Sequence, residues 1–348
     1  MDRRRTPRPG VARLGDHREE GERAGTHARR PPPGDAVAGA TRRRSEGLMA
    51  DELVAKKKGD VVEGHRILSE IGRGAASIIY LAQDEKTKQV WALKHIQKRT
   101  DKDQRFLDQA EIEQKTAQAL DHPAIRKIPK LIKKGSLLRT KEIFLVMELV
   151  DGMSMERHPP ATFESAIDIF RQVAHGLEHM HSRGFIHADM KPNNIVVSDD
   201  GTAKVIDLGQ SCRVGTIKPR IQGTPDYIAP EQVHRRAITE RTDVYNFGAT
   251  MYWVMTRKNI PTALGRGDSL LGSKDDNLIE KPARTVELNP RVPPLLDELI
   301  MRCVEVNPED RPGSMREIAD RLELILGKLR AERQMREAPA VQVVDDEA

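Results

Sequence analysis

Between about His65 and Glu148 the apolar residues fall in short runs, at Ile78 to Ala82, Val90 to Ile96 and Ile143 to Met147. Runs of this length bounded by polar residues predict strands. One stretch, Phe106 to Leu120, breaks the pattern with helical spacing, so this region predicts a small sheet with one main helix. From Ser165 onward helical spacing dominates, and helices are predicted near Ala166 to His181, Thr242 to Met255, Pro294 to Val304 and Gly313 to Leu329. The pattern therefore reads as an α+β fold, with a small sheet and one helix from about His65 to Glu148 and a larger helical lobe from Ser165 onward.

The ends carry neither periodicity. Residues 1–59 read as a disordered arm, and the first 48 of them are rich in Arg, Pro and Gly and contain no Lys. Lysine enters abruptly after Met49, at Lys56, Lys57 and Lys58. This change suggests that translation starts at Met49 and that residues 1–48 are not part of the native chain, which mass spectrometry of the terminal peptide tests. Residues 327–348 read as a helix end followed by a flexible tail that closes on Val343, Val344 and acidic residues.

Composition narrows the class. No apolar run approaches the roughly 20 residues a membrane helix needs, so no membrane is expected and the chain reads as cytoplasmic. The net charge of +5 equals the excess within residues 1–48, which hold twelve Arg against seven Asp or Glu. The rest is formally neutral, so no nucleic-acid partner is expected. Cys212 and Cys303 are far apart and follow no metal-ligand spacing, as reduced thiols would.

The chemistry lies in a series of short segments. Gly72, Arg73, Gly74, Ala75, Ala76 and Ser77 follow a strand-like run, and a glycine-rich turn lets backbone N–H groups approach anionic oxygens. Taken alone it reads better as a plain hairpin turn. Lys94 ends an apolar run, where an ammonium is costly unless a carboxylate and a polyanion meet it. The helix offers Glu111 and Glu113. Further on stand His187, Ala188, Asp189, Met190, Lys191, Pro192, Asn193 and Asn194, then Asp207, Leu208 and Gly209, then Gly223 to Glu231.

At these residues the chain resembles the eukaryotic-type (Hanks-type) serine/threonine protein kinases, and in overall style their bacterial members. The five motifs stand in that family's order over about 260 residues. The resemblance implies a bilobal protein kinase fold, with a small β-rich lobe at residues 60–147, a hinge at 148–152 and a larger α-helical lobe at 153–326, with ATP and Mg2+ as cofactors, Mn2+ as an alternative ion, and protein substrates phosphorylated on Ser or Thr. Autophosphorylation is a further expected reaction. By the same resemblance Asp189 orients the substrate hydroxyl and accepts its proton, Lys191 neutralises the moving phosphate, and Lys94 holds phosphates steadied by Glu113, preferred over Glu111. Asn194 and Asp207 hold metal. Residues 72–77 cover the nucleotide, the backbone of Glu148 and Val150 meets adenine, and Ile79, Ala92 and Val196 enclose its ring. Thr224 is expected near Asp189 and Lys191, Glu231 is expected to pair with Arg311, and Asp243 to brace the catalytic loop.

Three positions depart from the family pattern: Ser77 replaces a glycine, Leu208 a phenylalanine, and Ala188 the arginine that pairs with a phosphate on the following segment. The last implies activity without phosphorylation there, although Ser211, Thr216 and Thr224 offer hydroxyls. Two alternatives stay open: a catalytically weak pseudokinase acting as a nucleotide-binding scaffold, and a small-molecule kinase. The latter would have no use for the peptide-presenting segment from Gly223 to Glu231.

Overall fold

In strands the side-chain period of two decides which residues meet the core. A computed structural model describes residues 53–136, 139–262, 264, 276 and 279–337. The expectations for residues 1–48 and for the tail beyond Glu337 lie outside the described residues. Six strands form an antiparallel sheet in the order β1-β2-β3-β4-β6-β5: β1 (Val61–Val62), β2 (His65–Arg73), β3 (Ser77–Asp84), β4 (Val90–Gln97), β5 (Lys130–Ser136) and β6 (Arg139–Glu148). One face packs Ile78, Tyr80, Leu93, Phe144 and Val146 together. The other turns Ala92, Ile96, Ile143, Leu145 and Met147 toward Leu107 and Ala110 of helix α1 (Gln104–Gln118). Lys94 alternates in step with Ala92 and Ile96, so it faces the helix.

Residues 53–59, read as part of the disordered arm, instead lie along the sheet. Gln97 exchanges two hydrogen bonds with the Val54 backbone, and the Lys56 N–H donates to the Tyr80 hydroxyl at 2.8 Å.

The helical region is built around α2 (Phe163–Ser182), whose Thr162 cap accepts from the Ser165 N–H at 3.1 Å. After the short α3 (Pro230–Val233), α4 (Glu240–Thr256) is buried on nearly every side. A Cβ on Gly248 would lie 2.5 Å from Cys303 Cβ, and this close approach seats α4 on α6 (Pro294–Cys303). The short α5 (Thr285–Leu288) precedes α6. The last helix, α7 (Met315–Glu337), packs along α2 and continues well past the Leu329 at which its apolar spacing fades. Its buried residues all lie at or before Leu326, so the final turns are a charged extension.

Short strands connect these layers: β7 (Met153–Ser154), β8 (Phe185–Ile186), β9 (Ile195–Val197), β10 (Ala203–Val205) and β11 (Cys212–Arg213). β10, β9 and β7 form one antiparallel sheet, and β11 pairs with β8. The loop from His187 to Asn194 thus runs between two small sheets, both anchored on the helical core. Among the described residues no helix is long and apolar enough to cross a membrane.

Candidate active site

Because Lys94 faces α1, its ammonium meets the helix directly: Nζ lies 2.7 Å from Glu113 Oε2. Glu113 is 1% exposed and also lies 3.3 Å from Arg126 Nη2, so two cations hold one buried carboxylate. Glu111 points elsewhere, to Lys133 at 2.7 Å on an exposed face. Burial alone would pull the Lys94 pKa down, but the charges of Glu113 and Asp207 outweigh it and raise it.

The loop after β8 is held by one acid. Asp243, buried in the first turn of α4, accepts from the His187 N–H at 2.8 Å and the Ala188 N–H at 2.7 Å, with His181 Nε2 2.8 Å away. Burial would raise its pKa, but the bond and charge of His181, with His187, hold it below the usual carboxylate value. The helix N-terminus favours the same ionised form. Ala188 consequently sits in the left-handed region at φ +61°. Asp189 follows with its two carboxylate oxygens divided: Lys191 Nζ lies 2.9 Å from Oδ2 and the Thr224 hydroxyl donates to Oδ1 at 2.8 Å. Lys191 Nζ also donates to Thr224 Oγ1 at 2.8 Å, closing a triangle. Gly223, at φ +138° and pressed against Ile228, makes the turn that delivers Thr224.

Asn194 donates from Nδ2 to the Asp189 carbonyl at 2.8 Å, so Oδ1 is what it can offer a cation. The Ile206 N–H donates to the Asn194 carbonyl at 3.0 Å, which brings Asp207 alongside. Burial pushes the Asp207 pKa up, yet Lys94, the Gly209 N–H and Arg126 prevail and keep it low. A buried carboxylate and an amide oxygen form a hard-oxygen donor pair suited to Mg2+, and two ammonium groups stand ready for an anion.

A cavity of about 250 Å³ collects most of these groups: Ala75, Ala76, Ser77, Lys94, Glu113, Asp189, Lys191 and Asp207 all line it. Gly72, Arg73 and Gly74 do not. Gly72 and Arg73 end β2, Arg73 pairs with Glu70 at 2.8 Å, and the Gly74 N–H closes the turn on the Ser77 carbonyl at 2.8 Å. Ile79, Ala92, Glu148, Val150, Val196 and Asn194 also lie outside its lining. Ile79 stands opposite Lys94 in register, and Ala92 opposite Met147. The Glu148 N–H is already committed to the Lys127 carbonyl at 2.8 Å.

The protein kinase domain family matches residues 65–321. The chain belongs to the protein kinase family. The kinase is 32% identical over 254 residues to the serine/threonine-protein kinase PknL of Mycobacterium tuberculosis, covering 70% of this chain and 61% of that one. It is 29% identical over 266 residues to a probable serine/threonine-protein kinase of Clostridium acetobutylicum, covering 74% and 39%. With PrkC of Bacillus subtilis, also a serine/threonine-protein kinase, it shares 27% over 255 residues, covering 71% and 38%. The kinase therefore spans 38% to 61% of the length of these curated relatives.

Of two further residues of the kinase's site, Arg126 carries no sequence signal and Gln232 only a weak one. Arg126 lies in an irregular stretch after the His122-Pro123 turn and reads there as surface charge. Gln232 donates from Nε2 to the Ala188 carbonyl at 2.8 Å and to the Gln222 carbonyl at 3.2 Å, and its Oε1 receives the Asn246 amide at 2.9 Å. Its place directly after Ala229-Pro230-Glu231 was the only available clue. The candidate hydroxyls are also more restricted than the sequence suggests. Ser211 is buried, Thr216 donates to the Arg213 carbonyl at 2.6 Å, and Thr224 is taken up by Asp189.

Proposed function

We propose that this kinase transfers the γ-phosphate of ATP to serine or threonine hydroxyls of proteins, with Mg2+ as the working ion. The observation that carries the proposal is the Asp189, Lys191 and Thr224 triangle, set in the same cavity as the Lys94–Glu113 pair and Asp207. When bound, ATP would supply the phosphoryl group and Mg2+ would neutralise phosphate charge. Asp207 and Asn194 would hold the ion through oxygen. Lys94, fixed by Glu113, binds phosphate oxygens, and the turn at Ala75 to Ser77 covers them, with Gly72, Arg73 and Gly74 shaping that turn from behind. Asp189 aligns the attacking hydroxyl and receives its proton, while Lys191 meets the negative charge that develops on transfer. Since the Glu148 N–H is engaged, its carbonyl and the Val150 backbone are the groups left for adenine, between Ile79, Ala92 and Val196. Thr224, tied to both Asp189 and Lys191, supports Ser/Thr rather than Tyr as acceptor. Residues 60–326 form the catalytic unit, working in the cytoplasm, with autophosphorylation as a side reaction.

The test is a transfer assay on the full chain with ATP, Mg2+ and a generic protein substrate, read by phosphosite mass spectrometry beside Lys94→Met. Phosphoserine or phosphothreonine is expected, and Lys94→Met should lower kcat/KM by about 100-fold or more, since it removes a preorganised cation and leaves Glu113 with Arg126 alone. ATP binding without transfer in the unaltered chain would favour the scaffold reading instead.

A further inference from the structure

The segment between Asp207 and Thr224 holds a lysine in an unusual setting. Lys218 is only 8% exposed, although lysine is almost never buried without a partner. Among the described residues no carboxylate lies within ion-pair distance of it. Its hydrogen-bond partner among the described residues is neutral: Nζ donates to the Gln210 carbonyl at 2.6 Å. That bond joins the limb leaving Asp207 to the limb approaching Thr224. Burial pushes the Lys218 pKa down, and the charges that act against this from further off are Asp189 and Asp243, the two acids that organise the catalytic loop, since burial holds the nearby Cys212 thiol in its neutral form. Burial of an ammonium against this little compensation is costly, and the cost falls on a segment that must be ordered for Thr224 to reach Asp189.

The rest of the segment is anchored at other points. β11 pairs with β8, and residues 215 and 216 exchange backbone bonds with Ile238 at 2.7 and 2.9 Å. Arg213 stacks on Phe185 at 3.9 Å, and Arg220 is exposed. Between Thr216 and Gln222 only Lys218 sends a charged group inward. At position 188 the catalytic loop contributes no cation, because Ala188 packs with Ile186 and Ile238 in a small apolar cluster against Cys212.

We propose that Lys218 is a positioning residue whose internal charge closes the 210–218 limb and draws the segment toward Asp189 and Asp243, ordering it for substrate without added phosphate. This rests on the kinase reading above. It makes the segment self-ordering: the cation is part of the loop that it orders, so no modification is needed to supply a counter-charge.

The test compares the full chain with Lys218→Met, which keeps the apolar stem and removes the charge, and with Lys218→Arg. All three are treated with phosphatase before assay. The unaltered chain is expected to keep its activity after phosphatase. Lys218→Met should lower kcat/KM for a protein substrate by about 10- to 100-fold while KM for ATP stays the same, and Lys218→Arg should recover most of the loss. A Lys218→Met protein within about threefold of the unaltered chain would overturn the proposal. So would a parallel rise in KM for ATP with a fall in melting temperature, which marks general loosening, or loss of most activity on phosphatase treatment. If the unaltered chain transfers no phosphate, the kinase reading fails by itself. Hydrogen exchange across residues 210–224 then decides the role of Lys218: faster exchange in Lys218→Met but not in Lys218→Arg upholds it, and equal exchange in all three ends it.

Discussion

Replacing Asp189 with asparagine is expected to lower kcat for a protein substrate by about 10²- to 10⁴-fold, the range supplied by a positioned general base. The substitution keeps size and shape, so the loss would be chemical. Asp189 accepts at both oxygens, from Lys191 and from Thr224. An asparagine can accept at only one, and its amide N–H₂ must face either an ammonium or a hydroxyl already committed to donate. One side of the triangle therefore opens. The bond from Asn194 goes to the main-chain carbonyl of Asp189 and survives, so the metal-facing side is disturbed least. KM for ATP should accordingly change little. Steady-state phosphorylation of a peptide, with nucleotide binding followed by thermal shift, separates the two; a near-normal kcat would remove Asp189 from the role assigned to it.

Arg311→Lys is expected to destabilise the helical region by about 3 to 5 kcal/mol, the order of the cost of leaving at least two buried acceptors without a donor. For a domain of this size that is a fall of about 6 to 20 °C in melting temperature. Arg311 is 2% exposed and places all five N–H donors: two on the Glu231 carboxylate, at 2.8 and 3.0 Å, and three on the carbonyls of Glu305, Arg241 and Val306. Its guanidinium also lies 4.8 Å from the Tyr245 ring centre. Lysine has three donors in no plane, so at least two of these acceptors lose their partner inside the core. Differential scanning fluorimetry checks this, and a shift within 2 °C or so would mean that the surrounding packing, not the pair, carries the stability.

Legibility in the sequence followed how local the determining physics was. The Glu113 partner of Lys94 could be read because Glu113 stands where the family pattern places its ion-pair glutamate before the His122-Pro123 turn. The Glu231–Arg311 pair was legible from motif order alone, 80 positions apart. The extent of α7 was not, since its last turns bury nothing and so leave no apolar period to count. Strand β5, with Lys130, Lys133 and Lys134, offers a single buried residue, Ile132, and too weak an alternation to announce itself. Arg126, Lys218 and Gln232 were invisible for a different reason. Each gains its meaning from a partner brought near only by tertiary folding, and a lone basic or amide residue in a loop otherwise reads as solvated surface. The same limit applied to residues 53–59, whose order depends on bonds to Tyr80 and Gln97 rather than on their own composition.

Ala188 also constrains how such a chain could change over generations. Its N–H is fixed by Asp243 and its carbonyl by Gln232, and its methyl is sealed between Ile186 and Ile238 with no exposure. A long cationic side chain gained at this position would have to displace Ile186, Ile238 and the Cys212 packed against them. The first mutational step toward phosphate-controlled activity is therefore a losing one by itself, harmful until the apolar neighbours change as well. A lineage carrying this arrangement is held in it by the order in which substitutions can occur, and regulation would more easily evolve elsewhere on the molecule than be regained at the loop.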